Sequence, residues 1–452
     1  MDRTRKSAID MTSGNPVKKI LIFMIPLLIG SLFQQLYSMV DMMIVGNTLG
    51  SDAFGAVGLT SSVMFLVIGM AQGFTTGFSV ITAQYVGGGN SEKLKKSIAV
   101  SITLTAVLSV IFTAVSTALT KPVLELMHTP ESMMSDSWNY LFVIFLGIST
   151  SFFFNCFSSI LRAFGDSRTP LYFLMVSCVV NIVLDFVFIL NFSMGVAGAA
   201  WATVFAQGLS AVLCLVYSVK KFPVMSLSRE DFRFSFSFVA EHLKIGTAMA
   251  LQSSFTAASV MILQSAINTL GDAAIKAYSA AGKVSYFAMQ PMVNLGFSVA
   301  TFSAQNYGAG KIDRIRLCVK KGIVLCLIMG AFGSLVMIFG GDIFLYIFGV
   351  DTSEILVYQY THQFLLVLGA FYVLLGLWHF FRNILQGMGK TAVPTVSSFV
   401  EVVMRIVLSF WLSSAWGFFG ICFVDPLTWT VISITHIIAY AVIMRKIVRY
   451  KK

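Results

Sequence analysis

Charge is what this chain has least of. Only 11% of its 452 residues are Asp, Glu, Lys or Arg, against about 25% in a soluble domain. So few charges cannot cover a water-facing surface. Histidine is scarce too: the five copies are scattered and form none of the His-rich metal motifs that a membrane-embedded enzyme needs. No Gly-x-x-x-x-Gly-Lys-Ser/Thr loop follows a strand, which excludes an ATP-hydrolysing module. The cysteines, Cys156, Cys178, Cys214, Cys318, Cys326 and Cys422, lie in or beside apolar runs without metal-ligand spacing. They read as buried small hydrophobes, not as a disulfide framework.

What is present is apolar: 57% of the residues are hydrophobic, in long runs such as 102–119, 171–190 and 323–339. A helix crossing a bilayer needs about 20 such residues. Turn-like interruptions divide the chain into roughly twelve spans, near 17–45, 54–86, 97–120, 138–163, 168–191, 196–219, 241–268, 275–307, 318–340, 356–387, 393–415 and 418–444. The runs are continuous and not alternating, so helices follow and a β-barrel does not. The first segment is too long for a cleaved signal peptide and lacks a small-residue cleavage site.

The net charge of +11 does not mark a nucleic-acid surface, because the positive residues recur at every second connection. They are Arg3, Arg5, Lys6, Lys18 and Lys19; Lys93, Lys95 and Lys96; Arg162 and Arg168; Lys220, Lys221, Arg229, Arg233 and Lys244; Lys311, Arg314, Arg316, Lys320 and Lys321; Arg382 and Lys390; and Arg445, Lys446, Arg449, Lys451 and Lys452. Only Lys121, Lys276, Lys283 and Arg405 fall elsewhere. Acids hold the alternate connections: Glu125, Glu131 and Asp136, then Asp342, Asp351 and Glu354. The positive-inside rule therefore puts both termini in the cytoplasm, and an even number of spans agrees.

The chain also repeats itself. Ala83-Gln84-Tyr85-Val86-Gly87-Gly88-Gly89 returns 221 residues on as Ala304-Gln305-Asn306-Tyr307-Gly308-Ala309-Gly310, and Thr48-Leu49-Gly50 as Thr269-Leu270-Gly271 at the same offset. Ile160-Leu161, Gly165 and Pro170 return 224 residues on as Ile384-Leu385, Gly389 and Pro394. Such a period makes two homologous halves, not a solenoid. With six spans each, they enter the membrane in the same orientation. The expected organisation is a bundle over 1–220, a polar cytoplasmic linker over 221–240 and a second bundle over 241–452. Two similar bundles joined by one linker imply alternating access, with substrate held near mid-membrane. The glycines 87–89 read as a helix C-terminus.

Four acids fall inside spans: Asp41, Asp185, Glu401 and Asp425. A charge at mid-bilayer costs about 2.5–3.5 kcal/mol on the insertion scale, so each is a functional candidate. Gln34, Tyr37 and Asp41 share one helix face, as do Ser177, Asn181 and Asp185. Two acids on such stripes are able to share a proton, or to bind a cation with Asn and Tyr oxygens. Glu401 and Arg405, in the favourable i, i+4 order, neutralise each other and read as structural. Asp425-Pro426 reads as the cap of a locally broken helix, and His379 and His436 as packing residues. Pro26 removes one backbone hydrogen bond from the helix that carries Asp41 and is placed to bend it. Met289 and Met292, beside Gln290-Pro291, are candidates for a cleft that takes flat, lipophilic cations.

These pieces resemble the multidrug and toxic compound extrusion (MATE) transporters over essentially the whole chain, closest to the bacterial DinF/MepA-like branch. The matching residues are Pro26 with Asp41, Ala83-Gln84…Gly87 and its copy, Leu161-Arg162-Ala163-Phe164-Gly165-Asp166…Thr169-Pro170, and Asn181…Asp185. The resemblance implies an all-α membrane protein of twelve transmembrane helices in a V-shaped pair of six-helix bundles. It implies export of organic cations or other toxic compounds in exchange for H+ or Na+. It also implies a cation-linked polar cluster at Tyr37, Asp41, Asn155, Asn181, Asp185 and Thr203. NorM-like members place acids in the seventh and tenth spans; here the seventh offers Gln252 and Gln264, and neither span holds an acid.

The expectation is thus a non-enzymatic, multi-pass antiporter of the bacterial inner membrane, acting as a monomer, with drugs and the bilayer as partners. It uses no cofactor beyond the coupling ion, no firm metal site and no nucleic acid. The rival on the same plan, a flippase for a lipid-linked saccharide or lipid, needs a strongly cationic cleft. Arg405 and Lys283 are nearly the only positive residues inside the spans.

Overall fold

The computed structural model describes residues 9–341, 343 and 354–449. Arg3, Arg5, Lys6, Asp342, Asp351, Lys451 and Lys452, used above for the charge alternation, lie outside them. Among the described residues the fold is all-helical, with thirteen α-helices. They are α1 Pro16–Leu49, α2 Ser51–Gly88, α3 Ser91–Leu126, α4 Glu131–Leu146, α5 Ile148–Ala163, α6 Arg168–Phe186 and α7 Gly195–Lys221, then α8 Phe236–Asn268, α9 Asp272–Gly308, α10 Ile312–Phe339, α11 Ile355–Gly387, α12 Ala392–Cys422 and α13 Val424–Arg449.

Ten of the twelve expected spans each fall on one helix, while 138–163 and 418–444 cross a helix break. Ten helices are long and apolar enough to cross a membrane, and the pair α4 and α5, bent by 47° at Gly147, makes an eleventh. The expected span 138–163 is this broken pair. Helix α9 has the length at 37 residues but is more polar, since Lys276, Lys283, Gln290, Asn294, Gln305 and Asn306 interrupt it.

Polarity is inverted relative to a soluble protein. On α6 the apolar Val176, Val179 and Val183 are exposed, whereas Ser177, Asn181 and Asp185 are buried. Apolar residues turned outward and polar ones turned inward suit a surround of lipid. The chain is a multi-pass membrane protein.

The repeat is written into the backbone. Gly50 and Gly271 take φ +96° and +90°, Gly89 and Gly310 +71° and +70°, and Gly165 and Gly389 +90° and +72°. These left-handed turns cost little only for glycine. Gly89 closes α2 with its N–H donating to the Tyr85 carbonyl at 3.0 Å. The side chain of Asn90 then caps α3 by accepting from the Lys93 N–H at 3.0 Å.

The helices form two units: Met1–Met11 with Ile25–Ser253, and Thr12–Met24 with Ser254–Lys452. The division does not run through the linker. It cuts α1 beside Pro26 and α8 after Ser253, so each unit takes in the first part of the other half's leading helix. A physical reason for the second exchange lies in α2. A Cβ on Gly73 would stand 2.6 Å from the Ala250 Cα, and one on Gly77 2.5 Å from the Gly246 Cα. Small residues four apart on both helices let the backbones touch, the packing that holds helices together in lipid. The connection after α7 is docked rather than loose. Phe222 stacks on Phe164 with ring centroids 4.4 Å apart, and Met225 is buried in the same cluster.

In the first unit, α5 packs on α2 and α7, and α7 on α6. In the second, α11 packs on α9, α10 and α13. Of the ten apolar spans it is the most enclosed, with 61% of its most apolar stretch buried.

Candidate functional site

The site of the first unit starts from a ladder between α6 and α7. Ser210 Oγ donates to the Phe173 carbonyl at 3.0 Å, Ser177 Oγ to the Ala206 carbonyl at 2.6 Å, and Asn181 Nδ2 to Thr203 Oγ1 at 3.3 Å. The α6 residues recur every four positions, so one stripe of α6 is fastened along α7. Asp185 stands next on that stripe, with no accessible surface. Directly after it the helix widens into a π-turn, Val187–Asn191. Such one-turn insertions recur at functional sites, and the sequence carries no signal for this one.

Helix α1 supplies the facing groups. Tyr37 Oη and Thr203 Oγ1 are 3.3 Å apart. One turn on, Asp41 is 7% exposed, and its carboxyl and that of Asp185 are electrostatic neighbours. Tyr140 of α4 is buried within electrostatic reach of Asp41, Tyr37 and Asp185. Sequence reasoning missed Tyr140, which has no polar neighbour at helical spacing to single it out.

The donors run out at the carboxyls. Asp41 Oδ1, Asn181 Oδ1 and both Asp185 carboxyl oxygens are buried without a hydrogen-bond donor. Among the described residues, the electrostatic neighbours of the two carboxyls include no Lys, Arg or His. Acceptor oxygens left without donors suit a proton or a small cation held by oxygen. Among the described residues no group of three or more His, Cys, Asp or Glu could hold a metal ion, so the donor set is not that of a transition metal.

The other candidates fall elsewhere. Asn155 is half-buried and donates to the Ser151 carbonyl one turn back on α5 at 2.9 Å, while the Ser151 hydroxyl bonds to Gln207. Gln34 is exposed. Pro26 is buried inside α1, where its missing N–H leaves the Ile22 carbonyl without its helical donor. Met292 is 1% exposed in the apolar core of the second unit, with Met289 packed against that core. Gln290 is buried and accepts from Asn294 on its own helix, at 2.9 Å on the backbone oxygen and 3.4 Å on Oε1.

The acids of the second unit are paired. Arg405 Nη2 lies 3.4 Å from Glu401 Oε1 and 2.8 Å from Asp425 Oδ1. Asp425 sits in the first turn of α13 and joins the Glu401–Arg405 pair, a contact that sequence spacing did not reveal. The buried His242, also missed, has Nε2 2.9 Å from Ser97 Oγ and ties α8 to α3.

A model of the MatE family matches residues 26–187 and 245–411, which include Asp41, Asn181, Asp185, Glu401 and Arg405. The chain is 31% identical over 409 residues to the "Probable multidrug resistance protein YoeA" of Bacillus subtilis (strain 168), covering 87% of each. It is 22% identical over 404 residues to the "Multidrug export protein MepA" of Staphylococcus saprophyticus, covering 89% of each. Among solved structures, the "Crystal structure of MATE in the bent conformation" superposes with a TM-score of 0.91 at 20% identity, over 100% of this chain and 99% of that one. That likeness speaks for the fold alone. The extent of the family match and the identity to YoeA together place this chain in the MatE family.

Proposed function

We propose that the protein is a secondary multidrug antiporter. It exports lipophilic organic cations in exchange for H+ or Na+, and the Asp41–Asp185 pair carries the coupling ion. One observation carries the reading: buried acceptor oxygens from α1 and α6 converge with no donor or basic side chain to satisfy them. Two carboxylates this close repel unless a proton or a cation lies between them. Binding of the ion therefore favours the arrangement in which α1 and α6 stay together, and its release favours one in which they part. Tyr37, Asn181 and Thr203 orient the pair, with Tyr140 beside it.

Pro26 lies on the same helix as Asp41, so charge in the cluster and bending of α1 are coupled. The names of YoeA and MepA support drugs as the exported class. The basic connections support a bacterial cytoplasmic membrane with both termini inside, a first bundle over 1–220, a linker over 221–240 and a second bundle over 241–452. The protein acts as a monomer without enzymatic chemistry.

The test is efflux of a cationic dye in everted membrane vesicles, with the pH gradient and the sodium gradient imposed separately. One of the two should drive dye movement. Dye movement under neither gradient would sink the antiport reading. Pro26→Ala should lower the gradient-driven rate and flatten its pH dependence, and an unchanged profile would remove Pro26 from the coupling.

A further inference from the structure

The second unit repeats the plan of the first with different chemistry at each position of one stripe. On α12 the stripe Glu401, Arg405 and Ser409 stands 224 residues after Ser177, Asn181 and Asp185, the offset that also relates Pro170 to Pro394. All six residues are buried. In each unit a second helix brings a further carboxyl to the stripe: Asp41 from α1 in the first, Asp425 from α13 in the second. Glu401 stands at the position of Ser177 and Ser409 at that of Asp185, and Arg405, at the position of Asn181, adds a cation between the acids. Its Nη2 lies between two carboxylates, 3.4 Å from Glu401 and 2.8 Å from Asp425.

We propose that this cluster is a cation site occupied by the protein's own guanidinium, with Arg405 standing where an exchangeable ion would otherwise be held. The contacts are those of an ion in a carboxylate cage. Arg405 reaches both acids through one nitrogen, without the two-pronged geometry that locks a guanidinium to a single carboxylate, and its Nε has no acceptor. Both Glu401 carboxyl oxygens lack a hydrogen-bond donor, so charge alone holds the site together. The other groups facing it are Arg382 of α11, which acts on Glu401, and Tyr278 of α9, which acts on Arg405 and Asp425. Arg382 in turn acts on His379 and His436. Buried ion clusters of this kind seldom add stability over apolar packing, so a packing role alone gives no reason to keep three charges here. A tethered cation does give one: it fills the second unit's site permanently and leaves ion exchange to the first unit.

The test is the thermal stability of the purified full chain in detergent, with and without guanidinium or sodium ion at about 10 mM, where a ligand of the folded state raises the transition temperature by mass action. Arg405→Ala should lower the transition by roughly 5 °C, because it strands two buried carboxylates. Added guanidinium or sodium should restore at least half of that loss. Wild type and Arg405→Lys, which keep a tethered cation, should not respond to guanidinium, and should respond to sodium only as far as the first unit's pair binds it. The neutral variant Glu401→Gln/Arg405→Met/Asp425→Asn should recover stability, with a response to either ion no larger than that of wild type. An Arg405→Ala protein that neither ion restores would overturn the proposal, as would a neutral variant that responds like Arg405→Ala. Should Arg405→Ala yield no protein, Glu401→Gln/Arg405→Ala retains one carboxylate and must show the same ion-dependent gain, or the proposal fails.

Discussion

The two units of this transporter share a scaffold and differ in how they treat buried acid. Both use left-handed glycine turns at matching positions and a polar stripe on the helix whose first turn holds the repeated proline. In the first unit the stripe ends in Asp185, which faces Asp41 with no basic side chain in reach. In the second, the same stripe carries Glu401 and Arg405, and Asp425 completes an ion triad. Duplication thus preserved the helix packing while the chemistry diverged. A carboxyl pair without a donor needs something from outside, and a carboxyl pair around an arginine does not.

The largest expected effect tests that asymmetry directly. Asp185→Asn and Asp41→Asn should each reduce gradient-driven dye efflux from cells to the level of cells lacking the protein. Wild-type efflux from both variants would remove the first unit's pair from the coupling step.

Next come the close approaches of the scaffold. Gly77→Ala would set a Cβ 2.5 Å from the Gly246 backbone and should cost about 1–3 kcal/mol, read as a lower thermal transition of the purified protein. Gly387→Ala in the second unit meets the Ala300 carbonyl oxygen at 2.3 Å and should cost about as much by the same reasoning. An effect in only one unit would break the structural likeness between them.

Smaller still, Thr203→Val removes the 3.3 Å contacts with both Tyr37 and Asn181. At about 1 kcal/mol for a hydrogen bond, efflux should fall roughly fivefold. Ser409→Ala, at the second unit's counterpart of Asp185, should change efflux least. Its Oγ is buried without a partner, so removing it strands nothing. Loss of transport in that variant would show that the second unit's stripe is not passive.

Much of this was legible in the residues. Apolar runs of helix length located the spans, and the repeat of Gly, Pro and Ala-Gln landmarks announced two halves. Spacing of three to four residues brought Tyr37 to Asp41 and lined up Ser177, Asn181 and Asp185. What spacing cannot reach is contact between helices. Asp425 meets Arg405 from another helix, Tyr140 meets the acid pair from α4, and Asn155 turns back to its own helix despite its polar type. The break at Gly147 and the π-turn after Asp185 depend on packing, and no proline marks either. The exchange of leading helices between units was hidden for another reason. Its sign in α2 and α8 is a set of small residues, Gly73, Gly77, Gly246 and Ala250, among the 35 glycines of the chain.

The central claim is that the first unit's carboxyl pair exchanges the coupling ion. It is tested most directly by substrate-driven counterflow in proteoliposomes, where an imposed gradient of a cationic dye is the only driving force and ion movement is recorded. Wild type should move H+ or Na+ against the direction of the dye, and Asp185→Asn should move none. Ion counterflow in Asp185→Asn equal to that of wild type would contradict the account.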